Sequence, residues 1–377
     1  MAARAAKRPP SASAAAVRAG LPDQVVLVLQ GGGALGAYQA GVYEAMQASG
    51  IEPDWVIGTS IGAINAALIA GNAPAERLPR LRCFWDSIEQ PASGLEAWPG
   101  LGALLANAGV VARGVPGFFE PNPLAALAMH GEVGVERASM YSTAPLAATL
   151  AGLVDLEHLG SRRMRLTVGA VNARSGAMRY FDSRDAALGL DHIMASGALP
   201  PSFPAVRIDG EPYWDGGIYS NTPIEAVLED RPRRSSLIFA VNMWHPAGPE
   251  PQSIWQVMGR QKDIQYASRA DSHIARQQQL HRLRHVIREL QGRLTPAALR
   301  DPAVQELCAW GCGTTMHVVR LTAPRLAGED HTKDIDFSAG GVEQRWRAGH
   351  GDALRVIGRA PWQRVVDPIE GVVLHDA

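Results

Sequence analysis

Gly58-Thr59-Ser60-Ile61-Gly62 carries the spacing G-x-S-x-G, a serine hydroxyl standing between glycines. Where such a run joins a strand to a helix, the serine sits on a sharp turn at the carboxyl end of a sheet. The helix that follows points the positive end of its dipole at it. Gly58 and Gly62 let neighbouring backbone come close without a Cβ in the way. The chemistry this suits is nucleophilic attack on an acyl carbonyl. It needs two helpers, a base for the hydroxyl proton and N–H donors for the oxyanion.

Both helpers have candidates. Gly31-Gly32-Gly33-Ala34-Leu35-Gly36 turns several N–H groups toward one point ahead of a helix, a nest for negative charge. The same letters satisfy G-x-G-x-x-G, so a dinucleotide-binding oxidoreductase is the alternative reading. That site needs an acidic residue ending the second strand about 20 residues on. Here Asp54 precedes the strand, which ends in the serine turn instead. Asp215-Gly216-Gly217 supplies the base, since a carboxylate within hydrogen-bond reach can take a serine proton with no imidazole between them.

Elements of the right kind surround these residues. Gln24 to Gln30 (QVVLVLQ) reads as a central strand buried on both faces, followed by the glycine turn. A helix follows whose Tyr38, Val42, Ala45 and Met46 share one stripe, with Gly50 as its stop. DWVIG, TSIG and AINAALIAG repeat strand, turn and helix, and two such units imply a parallel α/β sheet. RLTVGAV from Arg165, SLIFAVN from Ser236 and the strand within GEPYWDGG bring the sheet to about five or six members. The segment from Gly94 to Leu124, apolar but punctuated by Gly and Pro, reads as a cover over the site or as ordinary surface packing. Ser253 to Gln291 reads as one long polar helix rich in Arg, a solvated face or a contact for anionic lipid. After a short strand, MHVVRLT, comes another helix within KDIDFSAGGVEQRWRAGHGDALRVI.

The ordered blocks GGGALG, GTSIG and DGG, with ASGALPPSFPAV at Ala195 to Val206 ahead of the last, resemble the patatin-like phospholipase family over about Gln24 to Trp244. The resemblance implies a three-layer α/β/α fold with a mostly parallel central sheet and a helical C-terminal extension. It implies a Ser60–Asp215 dyad that hydrolyses lipid acyl esters, Ser60 the nucleophile and Asp215 the proton acceptor. Its oxyanion glycines fall on Gly31, Gly32, Gly33 and Gly36, to which the N–H of Ile61 adds a donor. Gly58, Gly62, Gly216 and Gly217 complete the motifs. One departure stands out: many members carry a basic residue where this chain has Leu35. A catalytically silent scaffold on the same fold is the third function class.

The remaining composition narrows the field. The 377 residues suit one large catalytic domain over 23–245, a disordered leader over 1–22 and an accessory region over 246–377. Basic and acidic side chains balance at 36 and 37, so no field steers a nucleic acid toward the protein. Cys83, Cys308 and Cys312 read as reduced thiols, which favours the cytoplasm, with peripheral contact at a membrane or lipid surface. No apolar run is long enough to span a bilayer. No metal or cofactor is expected, because no His, Cys or carboxylate cluster has ligand spacing. His192 and His245 are the alternative bases and read better as structural. Asp182, Asn172 and Asn221 read as turn-fixing, with Asn221 also placed to orient a loop behind Asp215.

Overall fold

The computed structural model describes residues 18, 20–90, 109–267, 270–326, 329–367 and 369–376. The expected leader over 1–22, and the first part of the segment expected to cover the site, lie largely outside these.

Strand β1 (Gln24–Leu29) is buried at every position. Its side chains alternate between two cores, Val25, Leu27 and Leu29 in one and Val26 and Val28 in the other. A strand covered on both faces is the middle layer of three, which is why QVVLVL shows no polar alternation. The other strands are β2 (Trp55–Thr59), β3 (Glu120–Pro121), β4 (Tyr141–Ser142), β5 (Arg165–Asn172), β6 (Met178–Asp182), β7 (Val206–Ile208), β8 (Glu211–Asp215), β9 (Ser236–Asn242), β10 (Met316–Thr322) and β11 (Val372–Asp376). Nine form one sheet in the order β11-β10-β9-β1-β2-β5-β8-β7, with β6 also on β5, while β3 and β4 pair separately. From β11 to β5 the pairing is parallel; β6, β7 and β8 run antiparallel.

This sheet is wider than the five or six strands expected. The three strands without a sequence signal are β6 and β7, a mixed-polarity and a three-residue hairpin arm, and β11, an edge strand buried only at Val372.

Helices α1 (Ala37–Ala48), α2 (Ile61–Ala70), α3 (Pro74–Ser87), α4 (Ala144–Leu153) and α5 (Leu190–Ser196) feed the first core. Within the stretch expected to be one long helix, the described residues are helical over α6 (Ile254–Ala267) and α7 (Ala270–Gln291), and Ile274 of α7 enters the second core. The last, α8 (Ala339–Arg359), lies against α1 at backbone contact. A Cβ on Gly41 would meet the Trp346 carbonyl oxygen at 1.9 Å, and one on Gly349 the Tyr38 carbonyl oxygen at 2.0 Å. The C-terminal third, read as an accessory layer, thus supplies two strands of the central sheet and a helix of its main core.

Because β2 lies on one side of β1 and β9 on the other, the chain changes direction across the sheet at β1. A crevice opens beyond the carboxyl ends of such strands. Gly31 and Ser60 both emerge there.

Candidate active site

Ser60 follows the last residue of β2 and precedes the first of α2. Its backbone takes φ 57° and ψ −128°, a conformation an L residue holds only when its surroundings fix it. The flanking glycines are sterically required: a Cβ on Gly58 would lie 2.2 Å from the Gly62 carbonyl oxygen, and one on Gly62 would lie 2.2 Å from that of Leu29. The turn is pinned from outside. Ser60 N–H donates to both the carbonyl and the hydroxyl oxygen of Ser196, each at 3.1 Å, and the Ser196 hydroxyl donates to the Gly169 carbonyl at 2.6 Å. Ser196 lies in the block ASGALPPSFPAV, but nothing in those letters marks its hydroxyl as the partner of the Ser60 turn.

Asp215 reaches Ser60 through sheet register. On β5, Gly169 pairs with Thr59 of the parallel β2, and the next residue, Ala170, pairs with Asp215 of the antiparallel β8. The two strands therefore meet end to end along one edge of β5. The Asp215 carboxyl is buried and accepts the Gly217 N–H at 2.7 Å, and it lines the same cavity as Ser60. Burial pushes its pKa up to about 7, although the nearby Ser60 hydroxyl and the Gly217 N–H favour the ionised form. Gly216 lets this corner pass the sheet, since a Cβ there would lie 2.5 Å from the Gly169 carbonyl oxygen.

The glycine turn lies beside Ser60. A Cβ on Gly31 would be 3.0 Å from that of Ser60. Two of the expected oxyanion glycines have other tasks here. The Gly31 N–H is committed to the Asn221 carbonyl at 3.1 Å, and Gly36 sits outside the cavity lining. A Cβ on Gly36 would meet Ile61 Cγ1 at 2.6 Å, and its carbonyl accepts from Asn65 Nδ2 at 3.0 Å. Gly36 is buried against Ile61 and Trp85, and Gly31 lines the cavity with its N–H already taken, neither of which the motif letters encode. Gly32, Gly33 and Ile61 do line the cavity with Ser60. Ile61 begins α2, so its N–H has no acceptor within the helix.

Behind the turn lies a buried polar network. The Gly31 carbonyl accepts from Asn221 Nδ2 at 3.0 Å and from Trp244 Nε1 at 2.8 Å. Gln30 Nε2 donates to Thr222 and to the Tyr266 carbonyl, and Gln30 Oε1 accepts from the Met243 and Trp244 N–H groups. Asp54 is occupied elsewhere, taking the Val25 N–H at 2.7 Å and pairing with Arg18. Neither it nor the turn is arranged as a dinucleotide site requires.

The cavity holds about 370 Å³. One wall is aromatic: Phe118, Phe119, Tyr141 and Phe203 meet edge to face or tilted, and Phe337 leans on Phe118. Val110 to Phe119 belong to the segment expected as a cover, and its described part does line the cavity. The C-terminal third also lines it, through Lys262, Tyr266, Asp334, Ile335 and Phe337. Burial, with the charges of Asp215 and Asp334, raises the Tyr266 phenol to about 12.

Among the described residues no histidine lines this cavity. His192 accepts the Gly189 N–H at 3.0 Å and packs on Phe181, and burial lowers its pKa. His245 is lowered by burial, then by Arg325 and Lys333. Asp182 is held between Arg165 and Thr167, and the Asn172 side chain accepts the Arg174 and Ser175 N–H groups, a turn as expected. Among the described residues no three His, Cys, Asp or Glu side chains could hold a metal ion, and no helix is long and apolar enough to cross a membrane.

A family model described as patatin-like phospholipase matches residues 27–228, and one described as patatin phospholipase matches residues 264–369. A cGAMP-activated phospholipase of Pseudomonas aeruginosa is 28% identical over 217 residues, 54% of this chain and 55% of its own, so the chain spans about half the length of that curated relative. Among solved structures, VipD from Legionella pneumophila aligns at 14% identity over 90% of this chain and 67% of its own, with a TM-score of 0.39. The type III effector ExoU aligns at 14% over 90% and 53%, with a TM-score of 0.29.

Proposed function

The chain belongs to the patatin-like phospholipase family, and on that premise we propose that it hydrolyses acyl esters of lipids with Ser60 as nucleophile and Asp215 as the one base. The observation that carries this is the state of Asp215. It is buried, shares the cavity with the Ser60 hydroxyl and is raised to about 7. A base poised near the working pH is where general-base catalysis is most effective.

Asp215 takes the hydroxyl proton as Ser60 Oγ bonds to the acyl carbon. The N–H groups of Gly32, Gly33 and Ile61 hold the oxyanion, each such donor stabilising the transition state by about 2.7 to 4 kcal/mol. Collapse breaks the bond to the leaving alkoxide, which takes the proton from Asp215. Water then repeats the sequence on the acyl-Ser60 ester, giving up a proton to Asp215 and releasing the fatty acid and free serine. The acyl chain lies against the Phe118, Phe119 and Phe203 wall.

The substrate arrives from a lipid surface on which α6 rests. This helix turns Lys262 and Tyr266 to the cavity and buries Asp263, yet leaves Ile254, Val257 and Ile264 exposed by 77%, 52% and 54%. Apolar side chains outward and charged ones inward is the reverse of a solvated helix.

The test is hydrolysis of a graded series of p-nitrophenyl acyl esters by wild type, Ser60→Ala and Asp215→Asn, with fluorophosphonate labelling. Turnover lost in both variants, and labelling confined to Ser60, is the expected result. Turnover surviving in Ser60→Ala would sink the mechanism.

A further inference from the structure

Position 35, where the family resemblance leads one to expect a basic side chain, holds Leu35, 3% exposed in the main apolar core. A cation reaches the glycine turn by another route. The Ala34 N–H donates to the Asp334 carbonyl at 2.9 Å. Gly33 has φ +55°, and a Cβ on it would meet that same carbonyl oxygen at 2.2 Å, so the Asp334 backbone presses directly on the turn. Lys262 fixes this residue, its ammonium donating to both Asp334 carboxylate oxygens at 2.7 and 2.9 Å and to the His331 carbonyl at 2.9 Å. Neighbouring ties hold the segment in place: Lys333 pairs with buried Asp263 at 2.7 Å, and Arg345 grips the Asp336 carboxylate at 3.2 Å. One turn beyond Lys262 on α6, the Tyr266 carbonyl accepts from Gln30 and Asn221, the residues behind Gly31.

We propose that the Lys262–Asp334 pair is a positioning device for the oxyanion turn, through which the C-terminal region sets the conformation of Gly32 and Gly33. It rests on the hydrolase reading above. The pair is partly exposed, 32% at Lys262 and 20% at Asp334, so its electrostatic contribution to stability is small. Its value lies in geometry. A displacement of about 1 Å near reacting atoms can cost about 100-fold in rate.

The test uses Lys262→Met, Asp334→Asn, the double variant and Lys262→Arg in the full chain. Two readouts are followed: hydrolysis of p-nitrophenyl butyrate, and hydrogen exchange of the peptide containing Gly31 to Gly36. Expected are a loss of about 10- to 100-fold in kcat with KM changed less than about twofold, faster exchange at the turn, a double variant no worse than the poorer single, and recovery in Lys262→Arg. A cation acting on the substrate itself would be freed rather than disabled by Asp334→Asn, so unchanged or higher kcat in that variant overturns the proposal. Unchanged exchange in both single variants overturns it as well. Exchange does not depend on turnover, so a failure of the hydrolase reading shows as absent activity in wild type and is distinguishable from a failure of the brace. Should Lys262→Met not fold, Asp334→Asn, which keeps the backbone carbonyl and the side-chain shape, decides the matter.

Discussion

Gly31 and Asn221 hold one another by two hydrogen bonds, the Gly31 N–H to the Asn221 carbonyl at 3.1 Å and the Asn221 side-chain amide to the Gly31 carbonyl at 3.0 Å. The exchange ties the turn after β1 to the chain just beyond Asp215, so two candidate components of the site move as one. Asn221→Ala keeps the first bond and loses the second, along with the bond to the Tyr266 carbonyl. Each carbonyl keeps a second donor, Trp244 at Gly31 and Gln30 at Tyr266, so the cost is that of the lost hydrogen bonds, about 0.5 to 1.5 kcal/mol each. We expect that loss in urea unfolding, and a fall in kcat of at least about tenfold, since rate is sensitive to sub-ångström placement. Wild-type kcat in a folded variant would show that the turn holds its shape without Asn221.

Asp215 links activity and stability to pH with opposite signs. An unfolded aspartate releases its proton near pH 4, by the ordinary carboxylate value of about 3.9; the folded one does so at about 7. Between these values the native state binds the extra proton, so stability falls as pH rises, fully retained below about 4 and fully lost above 7. Activity should climb through the same upper limit, because only ionised Asp215 accepts the serine proton. Asp215→Asn should be inactive yet more stable than wild type at pH 8, by an amount on the order of a few kcal/mol, and no more stable at pH 4. Urea unfolding at both pH values would reveal it, and equal stability at pH 8 would mean that the buried carboxylate is better solvated than its surroundings suggest.

The aromatic wall sets a limit on the acyl chain. Phe119 touches Phe118, Tyr141 and Phe203 at centroid distances of 5.6, 4.9 and 5.3 Å. Phe119→Ala should therefore lengthen the space available and raise kcat/KM for long-chain esters relative to butyrate. Each additional buried methylene contributes about 0.8 kcal/mol, roughly fourfold. A chain-length profile identical to wild type would place the acyl group elsewhere.

The outward apolar face of α6 predicts a lipid-binding defect without a chemical one. Ile254→Asp with Val257→Asp should abolish co-sedimentation with phosphatidylcholine and phosphatidylglycerol vesicles while leaving hydrolysis of a soluble short-chain ester intact. Binding to neither vesicle by wild type at low salt would remove the lipid surface from the account, and dimerisation lost in the double variant would reassign the face to a second copy.

Much of the candidate site was legible where its residues are neighbours in sequence. Gly31 to Gly33, Ser60 and Asp215 each belong to a run of glycines at a strand end; each run alone also makes ordinary turns, and it is their ordered combination that points to a site. The placement of β1 and β2 followed from their unbroken apolar character. Ser196, Gln30, Trp244, Lys262 and Asp334 carried no comparable signal, because each acts through partners distant in sequence. Gln30 meets Thr222 across 192 positions, and Trp244 meets Gly31 across 213. Asn221 was noticed for its nearness to Asp215, but its grip on Gly31 spans 190 positions. For the same reason Gly31 and Gly36 looked like donors to the cavity: letters alone do not reveal which N–H is already taken.

The meeting of β2 and β8 along β5 has a consequence for how such a protein can be altered. The separation between Ser60 and Asp215 is a matter of ladder register, fixed by Gly169 and Ala170, and not of the segments that wall the cavity. The stretch containing Phe118 and Phe119 is therefore a replaceable part. Grafting in another loop should change what the chamber admits and leave the spacing of Ser60 and Asp215 as it was.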